Sequence, residues 1–498
     1  LLIRPTRDDF RVIGFYLGRI LNVVGIAGLA PLAWAALSRE WAPAASFLLM
    51  IGIFLLLGSM GTRIRAPKNR LHWSHGMVVV ALTWLVVPLL AAIPLALSGH
   101  YVNPIDAVFD AMSGLTTTGL ALVQDLDHLA PSLNFWRHLL HFLGGQGIII
   151  AVLSIFAGGG AVTLYLGEAR DERILPSVTS TARFIWAAAL MHLAVGVTLL
   201  ALVAWQVLGF GLTRSIFHGL MVFFAAFDTG GFAPQSTSLG YYHSLIFEFV
   251  TAVLMVAGAI SFGVHYALWK GRNRDVLANL ETRTILATFG ATLAMTILGL
   301  AVIGAFGSAI GLSRFGLFQV LSAHTGTGFA TVSVPDLANW SGLAFGGIAV
   351  AMALGGMGSS TAGGVKSLRV GLTLKSIVVQ VKQVLVPEGA LVSRSYFQNG
   401  KRRLTPELTQ AAMTVSLLYV ALYLGGAAVG IGYGYGVRPA LFESISAGAN
   451  VGLSVGVTDA AMPLLLKLTY IAEMWLGRLE FVAVFAFFGF LYSWWRGK

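Results

Sequence analysis

Long apolar runs, separated by short polar and mostly basic breaks, set the rhythm of this 498-residue chain. Runs at 20–37 and 43–60, parted by Ser38-Arg39-Glu40, predict an N-terminal helical hairpin. After residue 70 four units repeat one plan: a long run, a shorter run, a small polar strip containing Gly, and a second long run. The long runs are 76–97 and 135–156, 184–208 and 244–269, 284–306 and 340–354, and 408–431 and 463–492. Most reach the ~20 residues that a helix needs to cross a bilayer. The shorter runs are 104–115, 213–227, 314–323 and 439–447. At ~1.5 Å per residue they reach only about half-way through a ~30 Å hydrocarbon core, so they predict re-entrant half-helices. Their C-terminal, partially negative ends would then point at the membrane centre. The predicted fold is an all-α polytopic membrane protein of ten full spans. It has four pseudo-fourfold helix–pore-loop–helix repeats plus an N-terminal two-helix hairpin, with units at 1–70, 71–160, 161–272, 273–400 and 401–498.

The four polar strips share a pattern. They read Thr117-Thr118-Gly119-Leu120, Thr229-Gly230-Gly231-Phe232, Gly326-Thr327-Gly328-Phe329 and Asn450-Val451-Gly452-Leu453. The glycines at 119, 231, 328 and 452 recur roughly every 110 residues, a long internal repeat. At membrane depth, non-helical backbone survives only where protein or a water-filled cavity receives its polar groups. An uncharged Thr/Gly strip suits a loop that turns its carbonyl oxygens toward a dehydrated cation. Glycine permits the φ values that such alignment needs. Close helix packing is the other use of glycine in membranes and would explain any one strip, though not four in matching context. The candidate ion filter is therefore Thr117, Thr118, Gly119, Thr229, Gly230, Gly231, Gly326, Thr327, Gly328, Asn450, Val451 and Gly452, with potassium held at their carbonyls.

Composition agrees: 57% of residues are hydrophobic, 11% are charged, and the mean hydropathy is +0.80. Those values exclude a soluble globular domain. The net charge of +11 invites a nucleic-acid reading, but the basic residues lie in short loops between apolar spans. Assigning both termini and the loops near 63–70, 170–183, 270–283 and 366–403 to the cytoplasm collects most of the 32 Lys and Arg on one side. That arrangement makes the chain N-in and C-in and puts all four Gly strips toward the outside. With no cysteine there is no disulfide, thiolate metal site or cysteine nucleophile. The chain opens at Leu1, so its natural start is expected upstream, and Arg4, Arg7, Arg11 and Arg19 argue against a cleavable signal peptide.

The third unit's second long run breaks at residues 355–366, Gly355-Gly356-Met357-Gly358-Ser359-Ser360-Thr361-Ala362-Gly363-Gly364-Val365-Lys366, then resumes as a basic helical stretch through Lys382. The spacing of Gly358 and Gly363 approaches a phosphate-binding loop, but Lys does not directly follow the second Gly. A flexible polar plug in the conduction path fits its mid-membrane position better than a passive kink. Arg478 sits near the centre of the last run, where a charge costs ~2.5–3.5 kcal/mol on insertion scales and must find partners. Carbonyls of the 355–365 loop, Glu473 or Glu480 could supply them. The candidate gate is Gly355, Gly356, Gly358, Ser359, Ser360, Thr361, Ala362, Gly363, Gly364, Lys366 and Arg478.

The four Gly strips, the run GGMGSSTAGGVKSLR and the lone Arg478 resemble the Trk/Ktr/HKT superfamily of potassium transporters. The extra N-terminal hairpin is similar to the bacterial TrkH type rather than the shorter Ktr type. The resemblance covers essentially the whole chain. It implies potassium uptake across the bacterial cytoplasmic (inner) membrane, K+ with no bound organic cofactor in this chain, contact with membrane lipid, and a homodimer with one pore per subunit. It also implies a cytosolic ring of nucleotide-binding, TrkA-like regulatory subunits, and no nucleic-acid partner. In that family a Ser at the first filter glycine accompanies sodium permeation, and Gly119 stands there here. Asp228 before Thr229 and the wording Asn450-Val451-Gly452-Leu453-Ser454 depart from the commonest pattern and bear on the finer selectivity.

Other readings compete. A coupled secondary transporter for a cation or an organic solute also uses broken helices around a midplane site, typically with inverted repeats. Here all four strips lie on one side, which favours a channel-like ring. No HExxH or nucleophile-elbow motif stands in a suitable context, so an enzyme is not expected. His138 and His141, one turn apart, are a weak metal pair, and His265 reads as a packing residue. Asp106, Asp110, Asp125, Asp127, Asp336 and Asp459 lie toward the outer side, as cation-concentrating charges or as solvated loop charges.

Overall fold

The computed structural model describes residues 4–64, 73–147, 177–387, 392–398 and 400–497. The end of the long run at 135–156 and parts of the basic loops at 63–70, 170–183 and 366–403 lie outside the described residues. Among the described residues the chain is helical nearly throughout. The exception is a small antiparallel hairpin, Ser395–Phe397 with Lys401–Arg403, in which Ser395 faces Arg403.

Helices begin where the sequence places a side-chain oxygen to receive the free N–H groups of a first turn. Asn103 accepts from the Asp106 amide at 3.2 Å ahead of Pro104–Leu115, and Ser308 from the Gly311 amide at 3.0 Å ahead of Ala309–His324. The latter helix starts five residues before the expected 314 because Ser308 caps it there. The other two short helices are Leu212–Phe227 and Val437–Gly448, close to the expected half-spans.

Among the described residues six helices are long and apolar enough to cross a membrane: Arg7–Leu37, Trp41–Arg63, Ser74–Ala96, Thr179–Gln206, Leu280–Val302 and Pro406–Gly432. The expected continuous runs at 244–269 and 463–492 are instead bent pairs. Leu245–Ala259 turns into Phe262–Trp269 at 104°, and Leu464–Arg478 into Val482–Arg496 at 109°. The run at 340–354 forms only the short helix Gly342–Ala353. The last of these breaks was expected, at the Gly-rich strip that begins with Gly355; the other two lie inside runs that read as continuous, and tertiary bonds stand at each. At the first break the carbonyls of Gly258 and Ala259 accept from the Thr361 and Met357 amides at 3.2 and 2.9 Å. At the second, Glu480 and Phe481 take left-handed φ values of 50° and 72°, and Glu480 pairs with Arg369.

The helices close into a ring. Each short helix packs on the long helix before it and on the helix after it. The helix after it also packs on the next unit's short helix: Pro131–Gln146 on Leu212–Phe227, Leu245–Ala259 on Ala309–His324, and Gly342–Ala353 on Val437–Gly448. Leu464–Arg478 returns to Pro104–Leu115 and completes the circle. Glycines allow this approach. A Cβ on Gly144, Gly258 or Gly477 would lie 1.7, 2.0 or 1.9 Å from the carbonyl oxygen of Leu115, Phe227 or Gly448, the last residues of three short helices. Outside the ring, Arg7–Ala27 and Trp41–Arg63 pack as a hairpin through Gly18 and Gly61, where backbone lies against backbone.

Ion pairs fasten the circle from inside. Asp106, fully buried, receives Lys467 Nζ at 2.5 Å across the closure between the fourth and first units. Asp110 receives Arg137 at 3.0 Å. Both aspartates are therefore internal partners, neither mouth charges nor solvated ones. Arg314 holds Glu248 through two contacts, at 2.5 and 2.8 Å. Removing one member of a buried pair leaves an uncompensated charge and costs about 3–5 kcal/mol. Lys467→Met is therefore expected to lower the melting temperature of the detergent-purified protein markedly. The double variant Lys467→Met/Asp106→Leu should recover most of that loss, and a double variant as unstable as the single one would refute the pairing.

Candidate functional site

All four short helices end in one and the same turn. Counting from the Gly at 119, 231, 328 or 452 as position zero, the amide at minus one bonds the carbonyl at minus six. The pairs are Thr118 to Ser113, Gly230 to Ala225, Thr327 to Ser322 and Val451 to Ser446, at 2.8–2.9 Å. The amide at minus two bonds the carbonyl at minus five, at 3.1–3.2 Å. This pair of bonds is a Schellman cap, which demands a left-handed residue at minus two. Thr117, Thr229, Gly326 and Asn450 accordingly show φ of 55°, 51°, 71° and 55°. The zero-position glycines are left-handed as well, at 94°, 72°, 87° and 97°. Two left-handed residues with one between them turn the chain back outward just as each helix ends.

The four turns touch in cyclic order. A Cβ on Gly119 would lie 2.3 Å from the carbonyl oxygen of Gly230, one on Gly231 2.1 Å from that of Thr327, and one on Gly328 1.8 Å from that of Val451. A Cβ on Gly452 would lie 2.2 Å from that of Thr118, which closes the circle. Each glycine thus leaves the space that the next loop's minus-one carbonyl fills. All twelve residues predicted as an ion filter are brought together here.

The backbone polarity of these loops is one-sided. Their amides are bonded to the rear, into the short helices or, for Gly119 and Gly452, to Ser113 and Ser446 Oγ at 3.0 Å. Side chains brace the same layer: Thr116 Oγ1 with Thr118 Oγ1 and Thr325 Oγ1 with Thr327 Oγ1, both at 2.8 Å, and Asn450 Nδ2 donating to Thr118 Oγ1 at 3.0 Å. Among the described residues no protein donor bonds the carbonyls at minus two, minus one or zero of any loop. A buried carbonyl left unmet costs about 1–3 kcal/mol, and rows of them are tolerable only where something other than the protein meets them.

Directly beneath lies the loop at 355–366. A backbone bridge between Leu354 and Val365 pinches its base, with Gly355 N to Val365 O at 2.9 Å and Ser367 N to Gly356 O at 3.0 Å. Thr361 bonds the Phe227 and Gly258 carbonyls at 3.0 and 2.9 Å and meets Thr229 Oγ1 at 3.1 Å. Gly363 fits where a Cβ would sit 2.2 Å from the Ala449 carbonyl oxygen, and Ala362 lies against Gly326. Ser360 Oγ folds back on Met357 O at 2.6 Å, Ser359 and Gly364 take left-handed φ of 55° and 68°, and Lys366 Nζ bonds Ala362 O. The sequence suggests a flexible plug; the structure holds this segment by hydrogen bonds from three sides.

Arg478 takes none of the glutamates offered to it. Its guanidinium donates to Thr361 O at 2.6 Å, Gly144 O at 2.7 Å and Thr117 Oγ1 at 3.0 Å, so one side chain joins the loop to the first unit. Glu473 instead accepts from Ser444 Oγ at 2.7 Å. Sequence reasoning misses Glu281, whose buried carboxylate accepts from the Gly358 amide at 2.7 Å and from Gln398 Nε2 at 3.0 Å. A buried acid at the start of an apolar helix was the signal available.

The two histidines form no metal site, and among the described residues no metal-ligating cluster occurs. His141 Nδ1 bonds Gly114 O at 2.8 Å while Nε2 accepts from the Phe232 amide at 3.3 Å, and His138 spans Asn134 O and Phe232 O at 2.8 and 3.1 Å. His265 bonds Ala257 O at 2.9 Å, a packing role as expected. In the exposed loop ahead of residue 131, Asp125 lies 2.7 Å from His128 and its hydrogen bond raises the histidine pKa.

Comparison with known proteins points one way. The profile of TrkH, a cation transport protein family, matches residues 45–492. The chain is 31% identical to an uncharacterized cation transporter of Methanocaldococcus jannaschii over 99% of this chain and 98% of the relative. It is 27% identical to the Trk system potassium uptake protein TrkH of Halomonas elongata, over 96% and 98%. In fold it is similar to the crystal structure of the potassium transporter TrkH from Vibrio parahaemolyticus, with a TM-score of 0.81, 24% identity and coverage of 96% and 98%.

Ring closure gives a steric test. Gly328→Ala drives a methyl into the Val451 carbonyl, 1.8 Å away, at a φ of 87°. Overpacking of ~1–3 kcal/mol adds to the ~1–2 kcal/mol of a left-handed alanine. The variant is expected to lose thermal stability and folded yield, while Gly346→Ala, with nothing within 4 Å of its Cβ, stays near wild type. A fully stable Gly328→Ala protein would contradict this packing.

Proposed function

The chain belongs to the TrkH family of cation transport proteins, and from that premise we propose that it carries potassium into the cell through the ring of four loops. The observation that supports this most is the one-sided backbone: among the described residues three successive carbonyls in each loop meet no protein donor, while the amides are bonded to the rear. A potassium ion that enters sheds water and takes these oxygens in its place. The four short helices aim their C-terminal ends at the same layer and add partial negative charge there. The protein's remaining work is to keep the ring's diameter fixed, which the Schellman turns and the buried ion pairs do.

In this reading the loop at 355–366 is the gate, because it occupies the space immediately beneath the ring, and Arg478 fastens it there. The path opens when Thr361 gives up the carbonyls of Phe227 and Gly258 and the loop withdraws. Control comes from the cytoplasmic side. The hairpin that carries Gln398 also exposes Lys401, Arg402 and Arg403, and Gln398 reaches the gate's Gly358 amide through Glu281. A cytosolic nucleotide-binding subunit of TrkA type acting on this face would move the loop through that carboxylate. The same reading sets the chain as a homodimer, one pore per subunit, in the bacterial cytoplasmic membrane with both termini inside. Its units fall at 1–70, 71–160, 161–272, 273–400 and 401–498.

Two measurements on proteoliposomes test it. Gly119→Ser places an oxygen-bearing side chain against the Gly230 carbonyl, 2.3 Å from the Cβ position. The K+/Na+ permeability ratio should fall about tenfold, equivalent to ~1.4 kcal/mol. An unchanged ratio in folded Gly119→Ser protein counts against the filter.

For the gate, Arg478→Ala removes charge-assisted hydrogen bonds, each worth about 1.5–3 kcal/mol. Resting flux per assembled dimer should rise about tenfold or more, and deletion of 357–363 should raise it further. If both variants keep wild-type resting flux, the loop is not the gate; if flux falls together with folded protein, Arg478 is a structural brace.

A further inference from the structure

The short helices hold their loops by a second contact, nine residues before the filter glycine. In the first unit that position is Asp110, whose Oδ1 accepts from the Leu122 amide at 2.6 Å. In the third it is Gln319, whose Oε1 accepts from the Thr331 amide at 3.3 Å. In the fourth it is Glu443, whose Oε1 accepts from the Val455 amide at 2.9 Å. In each case the donor is the residue three after the glycine, on the limb that rises from the ring. The second unit has Val222 and Pro234 at these positions, so the acceptor is missing where the chain has no N–H to offer. That limb is held from outside instead, by Asn134 Nδ2 on Pro234 O at 3.1 Å. A contact that vanishes from both ends at once is a designed feature of the turn, not incidental packing.

The three acceptors differ in charge. Asp110 is neutralised by Arg137 at 3.0 Å, and Gln319 carries no charge. Glu443, fully buried, has no cation within ion-pair distance among the described residues. Besides Val455 it collects Ser454 Oγ at 2.5 Å, Thr458 Oγ1 at 2.7 Å and the Val457 amide at 3.1 Å. Four donors replace the water lost on burial and lock residues 454–458 around one carboxylate.

We propose that Glu443 is the positioning residue that sets the fourth loop's register, and that the ring's preference for potassium over sodium depends on it more than on its counterparts. This rests on the potassium-filter reading above. Glu443 reaches the ion only through the backbone. Its bonds fix the rising limb, the limb fixes Gly452, and Gly452 bounds the space of the Thr118 carbonyl. A limb free to shift by a few tenths of an ångström lets the carbonyls close on a smaller ion.

The test measures K+ and Na+ uptake in proteoliposomes, per folded protein, for four chains. Wild type should prefer K+. Glu443→Gln keeps an oxygen for the three donors that meet Oε1 but loses the charge that strengthens those bonds and the acceptor for Thr458, and should lower the K+/Na+ ratio about tenfold while K+ still passes. Gln319→Leu removes two long, uncharged bonds, from the Thr331 amide at 3.3 Å and to Phe329 O at 3.4 Å, and should lower the ratio only about twofold to threefold. Val222→Ala, at the position without a brace, should keep the wild-type ratio. An unchanged ratio in Glu443→Gln, or a fall in both ions together, overturns the proposal and reduces the residue to a structural support. If Glu443→Gln does not fold, Thr458→Val, which removes one of the carboxylate's own donors, decides by the same criterion. A wild type indifferent to K+ and Na+ would instead overturn the filter reading, and this proposal with it.

Discussion

A backbone carbonyl in a membrane interior costs about 1–3 kcal/mol when nothing meets it, and this protein sets rows of them around one ring. The rest of the architecture follows from keeping those oxygens in place while every neighbouring amide is satisfied elsewhere. Four short helices, Pro104–Leu115, Leu212–Phe227, Ala309–His324 and Val437–Gly448, bring the backbone to one layer. Their Schellman turns use the amides and leave the following carbonyls free. Adjacent loops then approach so closely that only glycine fits between them, from Gly119 against Gly230 round to Gly452 against Thr118.

Rigidity at the ring comes from pairing polar groups that apolar packing alone could not orient. Lys467 with Asp106 and Arg137 with Asp110 are costly to bury, yet their geometry joins specific helices at a specific height. His141 does the same without charge, linking the end of the first short helix to the second loop. The ring is consequently fourfold in backbone and asymmetric in side chains. Asp110, Val222, Gln319 and Glu443 occupy one equivalent position with four different chemistries.

The segment beneath the ring follows a different logic. Its bonds run to the ends of helices, at Phe227, Gly258 and Ala259, to Thr229, to the Glu281 carboxylate and to Arg478. The bonds to Gly258 and Ala259 stand where the helix Leu245–Ala259 gives way to Phe262–Trp269.

The sequence by itself determined a good deal. Run lengths separated full spans from half-helices, because burial depth in a bilayer is a matter of counting residues, and the recurring glycines marked the four turns. The recurrence of uncharged Thr/Gly strips also marked the twelve residues that the structure brings into one ring of loops. Only the tertiary structure decided the rest. The bends after Ala259 and Arg478 lie inside runs that read as continuous; the first carries bonds from the distant loop at 355–366, and the second has positive φ at Glu480 and Phe481 beside the Glu480–Arg369 pair. Asp106 and Asp110 read as surface acids until Lys467 and Arg137, 361 and 27 residues away, were brought beside them. Arg478 had three kinds of partner open to it, and packing chose two carbonyls and a hydroxyl. Pairings between units separated by hundreds of residues carry no local signature, because the energy of a hydrogen bond depends on where its partner ends up, not on how far along the chain it began.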